Sequence, residues 1–255
     1  MHFLFNDQRV AVNVPDLETL KRAIISRFDS GQGFSLATVN LDHLVKLGQE
    51  PEFLSAYLAQ DFVVADGRPI VWLSWLADHP VALMPGSDLV TPLCQMAADC
   101  GVPVALVGST DAVLQRASVA LQEFVPGLEI TCLRAPSRAF DPEGTEAREI
   151  LATLAEARIG LCFLALGAPK QERFAALGRR LAPEVGFASV GAGLDFVAGH
   201  QTRAPLWVRR LALEWFWRML SSPKRMVPRY ARCAAILPGQ ALGALRLRRG
   251  RVGKG

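Results

Sequence analysis

Short apolar runs of strand length alternate along the chain with longer segments of helical periodicity. The apolar runs lie at residues 34–40, 62–65, 102–107, 128–133, 161–166 and 185–190. Between them, residues 16–28, 42–49, 51–59, 70–76, 86–100, 111–124 and 141–157 favour helices. Residues 3–14 alternate apolar and polar, which predicts a short N-terminal hairpin or edge strand. Continuous apolar runs separated by helices predict an α/β fold with a mostly parallel sheet and helices on both faces.

Most of the predicted strands end on small or polar residues. In an open parallel sheet these ends meet at one edge, where ligands usually bind. The carboxylate of Asp66 follows a strand directly and precedes a glycine turn, so it is either a catalytic group or an ordinary helix cap. The strand-end residues are Thr38, Asn40, Asp66, Gly67, Gly108, Ser109, Gly167, Gly191 and Asp195.

The segment around residues 161–172 predicts a buried strand, a glycine turn and a helix start. Gly167 suits the turn, Pro169 suits the first helical position, and Glu172 favours the first turn through the helix dipole. Lys170 adds a positive charge, and Gln171 adds an amide that both donates and accepts hydrogen bonds. We interpret this corner as part of a site for a nucleotide-activated substrate; the alternative is a plain helix cap with a solvated first turn.

The charge is divided unevenly along the chain. Residues 203–255 contain thirteen Lys or Arg and one acid, a net charge of +12, whereas residues 1–202 carry −8. Trp207, Leu211, Trp215 and Met219 recur every fourth residue in this basic segment, which predicts a helix with an apolar face. The pattern predicts a globular unit at 1–202 and a basic helical appendage at 203–255 with a polyanionic partner, either nucleic acid or an anionic membrane.

Several classes of site are disfavoured by motifs that the sequence lacks. A nucleotide-sugar epimerase or dehydrogenase should carry a Gly-x-Gly-x-x-Gly fingerprint, and this sequence has none. It also has no P-loop. It has no Asp-x-Asp triplet, and its histidines and cysteines lack metal-ligand spacing. We therefore expect neither a metal site nor a cofactor. The absence of a secretory leader and of an apolar run of about 18 residues predicts a protein kept in the cytosol.

Several short motifs in register resemble the WecG/TagA/CpsF glycosyltransferase family, glycosyltransferase family 26. They cover about residues 35–230 in the family's order, which makes the match more specific than any one motif. The motifs are Thr-Val-Asn at 38–40, Ala-Asp-Gly at 65–67, Gly-Ser-Asp-Leu at 86–89, Gly-Ala-Pro-Lys-Gln-Glu at 167–172, Gly-Ala-Gly-Leu-Asp-Phe-Val-Ala-Gly at 191–199, Arg-Ala-Pro at 203–205, Leu-Glu-Trp at 213–215, Trp-Arg at 217–218 and the basic segment 225–230.

The resemblance implies a Rossmann-like sheet and metal-independent, inverting transfer from a UDP-sugar to a polyprenyl-diphosphate-linked saccharide at the cytoplasmic face of the membrane. It implies that Asp66 is the base, and that Thr38, Asn40 and Gln171 line the same pocket. We expect further substrate contacts from Arg68, Gly108, Lys170, Glu172, Gly191 and Asp195. The appendage is expected to close over the site and to face diphosphate and lipid with Arg203, Arg210, Arg218, Arg225 and Arg229.

One position departs from the family pattern. Family members commonly carry an arginine shortly before the Gly-Ser-Asp motif, whereas residues 81–85 here read Val-Ala-Leu-Met-Pro. Arg68, beside Asp66, is our candidate replacement. The competing function is a nucleic-acid-binding α/β module; tryptophans interleaved with the arginines and the lack of a nucleic-acid motif favour the membrane instead. The sequence leaves open the donor sugar, the acceptor glycan and whether the protein forms a homo-oligomer.

Overall fold

The N-terminus forms the predicted hairpin. In the computed structural model, which describes residues 1–199, 217, 219, 220 and 223–252, strands β1 (His2–Phe5) and β2 (Gln8–Ala11) pair antiparallel. Asn6 and Asp7 form a two-residue loop, and both have the positive φ that a type I′ hairpin turn requires. This hairpin is separate from the main sheet.

The main sheet has six strands, all parallel, in the order β4-β3-β8-β7-β5-β6. The central strands are buried along their whole length, as the continuous apolar runs predict. The sheet confirms the predicted α/β, Rossmann-like fold. The strands are β3 (Ser35–Val39), β4 (Phe62–Ala65), β5 (Val104–Gly108), β6 (Ile130–Arg134), β7 (Leu161–Ala165) and β8 (Gly186–Ser189).

Helices cover both faces of this sheet. Helices α1, α5, α6 and α9 pack on one face, and α2, α3, α4, α7 and α8 pack on the other. The helices are α1 (Leu17–Asp29), α2 (Leu41–Leu47), α3 (Pro51–Leu58), α4 (Arg68–Leu76), α5 (Gly86–Asp99), α6 (Asp111–Phe124), α7 (Thr145–Glu156), α8 (Lys170–Leu181), α9 (Gly193–Val197) and α10 (Pro223–Val252).

The starts of α7 and α5 compare differently with the sequence prediction. Helix α7 begins at Thr145 rather than at residues 141–142. Helix α5 begins at Gly86, as the predicted range 86–100 requires, and Pro85 is its N-cap. Gly86 packs closely against the residue after β8: a Cβ at Gly86 would lie 3.1 Å from the Val190 backbone. A side chain at this position would require the two segments to move apart by a few tenths of an ångström.

Helix α10 returns to the core instead of standing apart from it. It contacts α2 and α4, and Ile236, Ala241 and Leu247 pack against the apolar cluster shared by the hairpin and α2–α4. Within residues 1–199 and the described part of the C-terminal segment, no helix has the length and apolar character to cross a bilayer. The predicted boundary at residues 202–203 and the predicted helix around Trp207 lie outside the described residues.

Candidate active site

The carboxyl ends of the six strands lie at one edge of the sheet, as predicted. Asn40 follows β3, Asp66 follows β4, Ser109 follows β5 and Gly191 follows β8 by two residues. Lys170 begins the helix after β7, so it lies at the same edge as Asp66. Strands β4 and β7 are separated by β3 and β8, a span of about 14 Å at the usual strand spacing. A single nucleotide sugar is long enough to span this distance, and we call the part of the sheet edge between Asp66 and Lys170 the crevice.

Asp66 is held at the end of β4 by hydrogen bonds from two sides. Its backbone N–H donates to the Val39 carbonyl at 2.8 Å, and its Oδ2 accepts from Asn40 Nδ2 at 3.2 Å. Gly67, with φ of 99°, turns the chain sharply into α4 directly after it. Asn40 is itself fixed, because its Oδ1 caps α2 by accepting from the His43 N–H at 3.1 Å. The carboxylate is therefore half-buried and oriented before any ligand arrives.

A buried trio of polar groups supports the end of β3 from below. The Tyr57 hydroxyl donates to the Thr38 carbonyl at 2.6 Å, and His43 Nδ1 lies 2.7 Å from that hydroxyl and 2.8 Å from that carbonyl. Burial lowers the pKa of His43 to about 4 and raises the pKa of Tyr57 well above its usual value. The trio is thus uncharged at neutral pH. His43 has no metal-ligand spacing in the sequence, and the structure places it inside the core.

Gln171 and Glu172 are buried at the start of α8. Gln171 Nε2 donates to Glu172 Oε1 at 2.9 Å, and Gln60 Nε2 donates to the Glu172 carbonyl at 3.2 Å. Burial raises the pKa of Glu172 to about 7, against a smaller opposing effect of the Gln171 hydrogen bond. Because both side chains are at most 3 % exposed, the alternative of a solvated helix cap is wrong. Pro169 is the N-cap of α8 rather than its first helical residue, and it follows a cis peptide bond.

Buried oxygen atoms in this cluster lack hydrogen-bond partners in the described structure. They are Gln60 Oε1, Gln171 Oε1 and Glu172 Oε2, together with Ser189 Oγ at the end of β8. Gln171 Oε1 lies 4.0 Å from the position that a Cβ would take on Gly191, so the missing side chain of Gly191 leaves room in front of it. Buried acceptors usually bind water or a ligand group. These oxygens therefore lie buried at the end of β8, the end of α3 and the start of α8, where partners other than the described side chains would have to satisfy them.

Three cationic side chains lie near the crevice; two of them bond to backbone carbonyls and the third is exposed. Lys170 Nζ donates to the Phe140 carbonyl at 2.8 Å, so the amine turns toward the segment before α7. Lys46, which sequence reasoning missed, donates to the Ala168 carbonyl at 2.9 Å and pairs with Asp42 at 3.5 Å. Arg68 is exposed at the first position of α4. Lys46 carried no sequence signal beyond its place in α2, since an amphipathic helix commonly exposes lysines.

The β5 end of the crevice is closed by a contact to α9. The Ser109 hydroxyl donates to Asp195 Oδ1 at 2.9 Å. Gly108 adopts φ of 124°, and a Cβ there would lie 2.4 Å from the Ala165 carbonyl oxygen, so this position requires glycine. Asp195 and Gly108 therefore shape the wall of the crevice on this side.

Arg229 lies on α10, where it pairs with the core. Its Nη2 is 3.1 Å from Asp42 Oδ2 on α2. The other arginines predicted to face diphosphate and lipid lie outside the described residues or, for Arg225, have a side chain that is not described. Among the described residues no three His, Cys, Asp or Glu side chains are grouped so that they could hold a metal ion.

A family model and a known relative each match most of the chain. The family model described as "Glycosyl transferase WecG/TagA/CpsF family" matches residues 6–251. A curated relative from Bacillus spizizenii, N-acetylglucosaminyldiphosphoundecaprenol N-acetyl-beta-D-mannosaminyltransferase, is 28% identical over 232 residues. That alignment covers 89% of this chain and 86% of the relative.

Proposed function

This chain belongs to the WecG/TagA/CpsF family of glycosyl transferases, and from that premise we propose that it transfers a sugar from a UDP-sugar to a saccharide on undecaprenyl diphosphate. The observation that carries the proposal is the Asp66 carboxylate, held by Asn40 at the edge of the sheet where α/β enzymes bind ligands. The Bacillus spizizenii relative supports the acceptor, since its name describes an enzyme that acts on N-acetylglucosaminyldiphosphoundecaprenol. The product would enter bacterial cell-surface polymer synthesis.

The proposed chemistry is a single displacement. Asp66 takes the proton from the acceptor hydroxyl while that oxygen attacks the anomeric carbon of the donor. The bond between this carbon and the diphosphate oxygen breaks, UDP leaves with the electron pair, and the anomeric configuration inverts. Thr38, Asn40 and Gln171 lie at strand ends or at the start of α8 around the same edge, where they can orient donor and acceptor.

The departing diphosphate requires positive charge, which we assign to the protein. The amino terminus of α8 directs the positive end of its dipole to this edge, and Arg68 stands exposed two residues after Asp66. The basic segment 203–255, with Arg203, Arg210, Arg218 and Arg225, supplies further cations in the proposal. No bound metal ion is invoked, because the sequence lacks the Asp-x-Asp pair that holds one in many nucleotide-sugar enzymes.

The enzyme is proposed to work on the cytoplasmic face of the membrane, bound by its basic C-terminal segment. Residues 203–255 carry a net charge of +12, and each base near an anionic surface contributes about 1 kcal/mol. We treat residues 1–202 as the catalytic unit and residues 203–255 as the appendage that attaches it. The nucleic-acid-binding alternative has no support from the family match.

A UDP-release assay tests the proposal. UDP-N-acetylmannosamine, UDP-N-acetylglucosamine and UDP-glucose are offered separately with N-acetylglucosaminyl diphosphoundecaprenol, with and without a chelator. Release that depends on the acceptor, prefers one donor and persists in chelator supports the proposal. Release that stops in chelator refutes the metal-independent step, and the absence of acceptor-dependent release with every donor refutes the assigned substrates.

A further inference from the structure

Helix α4 exposes two tryptophans in line with an arginine. Trp72 is 52% exposed and Trp75 is 59% exposed, while Arg68 is exposed one turn earlier. Residues 68, 72 and 75 are spaced by four and three, so they share one helix face. The opposite face, with Ile70 and Leu73, is buried in the core. A short helix thus presents an Arg-Trp-Trp stripe to the outside.

Helix α10 packs beside α4 and makes this region strongly basic. Residues 223–252 contain eight Lys or Arg, and neither α4 nor α10 contains an acidic residue. Met226, Cys233 and Ala244 face inward and are buried, whereas Val227 and Leu242 are 50% and 58% exposed. The outward face of α10 therefore combines apolar side chains with cations, as α4 does.

We propose that the exposed faces of α4 and α10 form one surface that binds an anionic phospholipid bilayer, with Trp72 and Trp75 in the headgroup layer. Tryptophan suits this depth because its ring is apolar and its indole N–H still finds a polar partner. The missing acids and the many cations match the negative surface potential of such a membrane. Helix α4 belongs to the α/β core, so its part of this contact adds to the attachment by residues 203–255, and the inference rests on the proposed function.

The position of the stripe fixes how the active site meets the lipid. Helix α4 starts two residues after Asp66, and at about 1.5 Å per residue Trp72 and Trp75 lie about 6 and 10 Å along the helix from Arg68. The bilayer would therefore touch the flank of the core directly beside the crevice. Arg68 stands between the tryptophans and Asp66, at the depth where the diphosphate of a lipid-linked acceptor lies.

Vesicle binding by two matched double variants tests the surface. Trp72→Ser with Trp75→Ser removes the stripe, and Val119→Ser with Phe124→Ser removes two exposed apolar side chains of α6 on the other face of the sheet. We expect the tryptophan variant to bind phosphatidylglycerol vesicles at least about tenfold more weakly than the parent, and the α6 variant to bind like the parent. Equal binding by all three proteins overturns the proposal.

Indole fluorescence tests the depth. A full-length variant in which Trp207, Trp215 and Trp217 become Phe retains indoles only at Trp72 and Trp75, because the chain has five tryptophans. On binding phosphatidylglycerol vesicles its emission should shift to the blue and be quenched by brominated acyl chains. If the protein sediments with vesicles while its emission stays unchanged, the tryptophans do not enter the lipid.

Two further measurements separate this inference from failure of the proposed function and from binding of a second copy of the chain. With a short-chain, water-soluble acceptor analogue the Trp72→Ser, Trp75→Ser variant should turn over like the parent, whereas its rate with vesicle-embedded acceptor should fall. A parent that transfers no sugar to either acceptor refutes the proposed function and leaves the vesicle results to decide the surface. If sedimentation velocity without lipid shows that the substitutions dissociate an oligomer, the stripe binds a second copy of the chain, and the lipid proposal fails.

Discussion

Asn40 donates from Nδ2 to Asp66 Oδ2 at 3.2 Å, which joins the carboxyl ends of two adjacent strands. The same side chain caps α2, so the position of the carboxylate depends on that helix. Further along α2, Lys46 contacts the turn before α8, and Asp42 contacts Arg229 of α10. Helix α2 is therefore the element through which the crevice, the Gly167 turn and the C-terminal helix are connected.

Asp66→Asn should abolish most turnover without unfolding the protein. The amide keeps the size of the side chain but cannot accept the acceptor's proton, and loss of a general base costs about 10²- to 10⁴-fold in rate. UDP release at saturating donor measures kcat, and a thermal melt checks the fold. A variant with kcat within a few-fold of the parent would exclude Asp66 from the chemistry.

Two substitutions at Asn40 separate its two hydrogen bonds. Asn40→Ser keeps an N-cap oxygen but is too short to reach Asp66, whereas Asn40→Ala loses both contacts. We expect kcat to fall by about tenfold or more in both variants, and the free energy of unfolding to fall by about 1 kcal/mol in the alanine variant only. Urea unfolding and UDP release measure the two effects. A serine variant with parental kcat would show that the Asn40–Asp66 contact does not matter for turnover.

Glu172 should make stability depend on pH between about 4.5 and 7. Its pKa rises from 4.5 to about 7 on folding, so the folded state keeps a proton that the unfolded state releases in this range. The free energy of unfolding from this group therefore falls as pH rises, by about 3 kcal/mol in total, and levels off only well above the folded pKa of about 7. Its contribution is greatest at and below the unfolded pKa.

Glu172→Gln isolates this effect because the amide does not titrate. Urea unfolding of parent and variant at pH 5, 6, 7 and 8 gives a difference profile in which the variant gains relative stability as pH rises. Glu149→Gln, on an exposed carboxylate of α7, serves as the control and should leave the slope unchanged. Parallel profiles for parent and Glu172→Gln would mean that Glu172 titrates normally.

The Asp42–Arg229 ion pair should contribute modestly to docking of α10. The Arg229 side chain is 35% exposed, so solvent screens the attraction, and a double-mutant cycle with Asp42→Asn and Arg229→Gln should give a coupling energy below about 1 kcal/mol. Both single variants should speed proteolytic cleavage within residues 223–252 of the native protein. A coupling of zero with unchanged cleavage would show that apolar packing alone holds the helix.

The sheet and its functional edge could be predicted because they follow from local patterns. Runs such as residues 161–166 are apolar at every position, which is typical of a strand buried on both faces. Strand ends such as Asp66 are followed by a turn-forming glycine, which the sequence shows directly. The close packing of α5 against the chain after β8 could not be predicted in the same way. It depends on contact between Gly86 and Val190, which are about a hundred residues apart in the chain.

The burial and the contacts of the site residues depend on long-range packing, so most of them could not be predicted from the sequence. Glu172 has the sequence context of an exposed first turn, yet α3 covers it and Gln60 bonds to its backbone. Tyr57 fits the apolar side of an amphipathic helix, and only the fold brings its hydroxyl to the Thr38 carbonyl. The contact of Arg229 with Asp42 joins residues that no local pattern relates.

The return of α10 to α2 and α4 also has a consequence during synthesis. Residues 41–76 leave the ribosome long before residues 223–252, which supply Ile236, Ala241, Ala244 and Leu247 to the same apolar cluster. Until then, the part of this apolar cluster that α10 covers in the finished protein is exposed on the nascent chain. Chaperone binding or early contact with lipid during translation would protect this exposed part, and a stalled chain that ends before residue 223 should aggregate more readily than the finished protein.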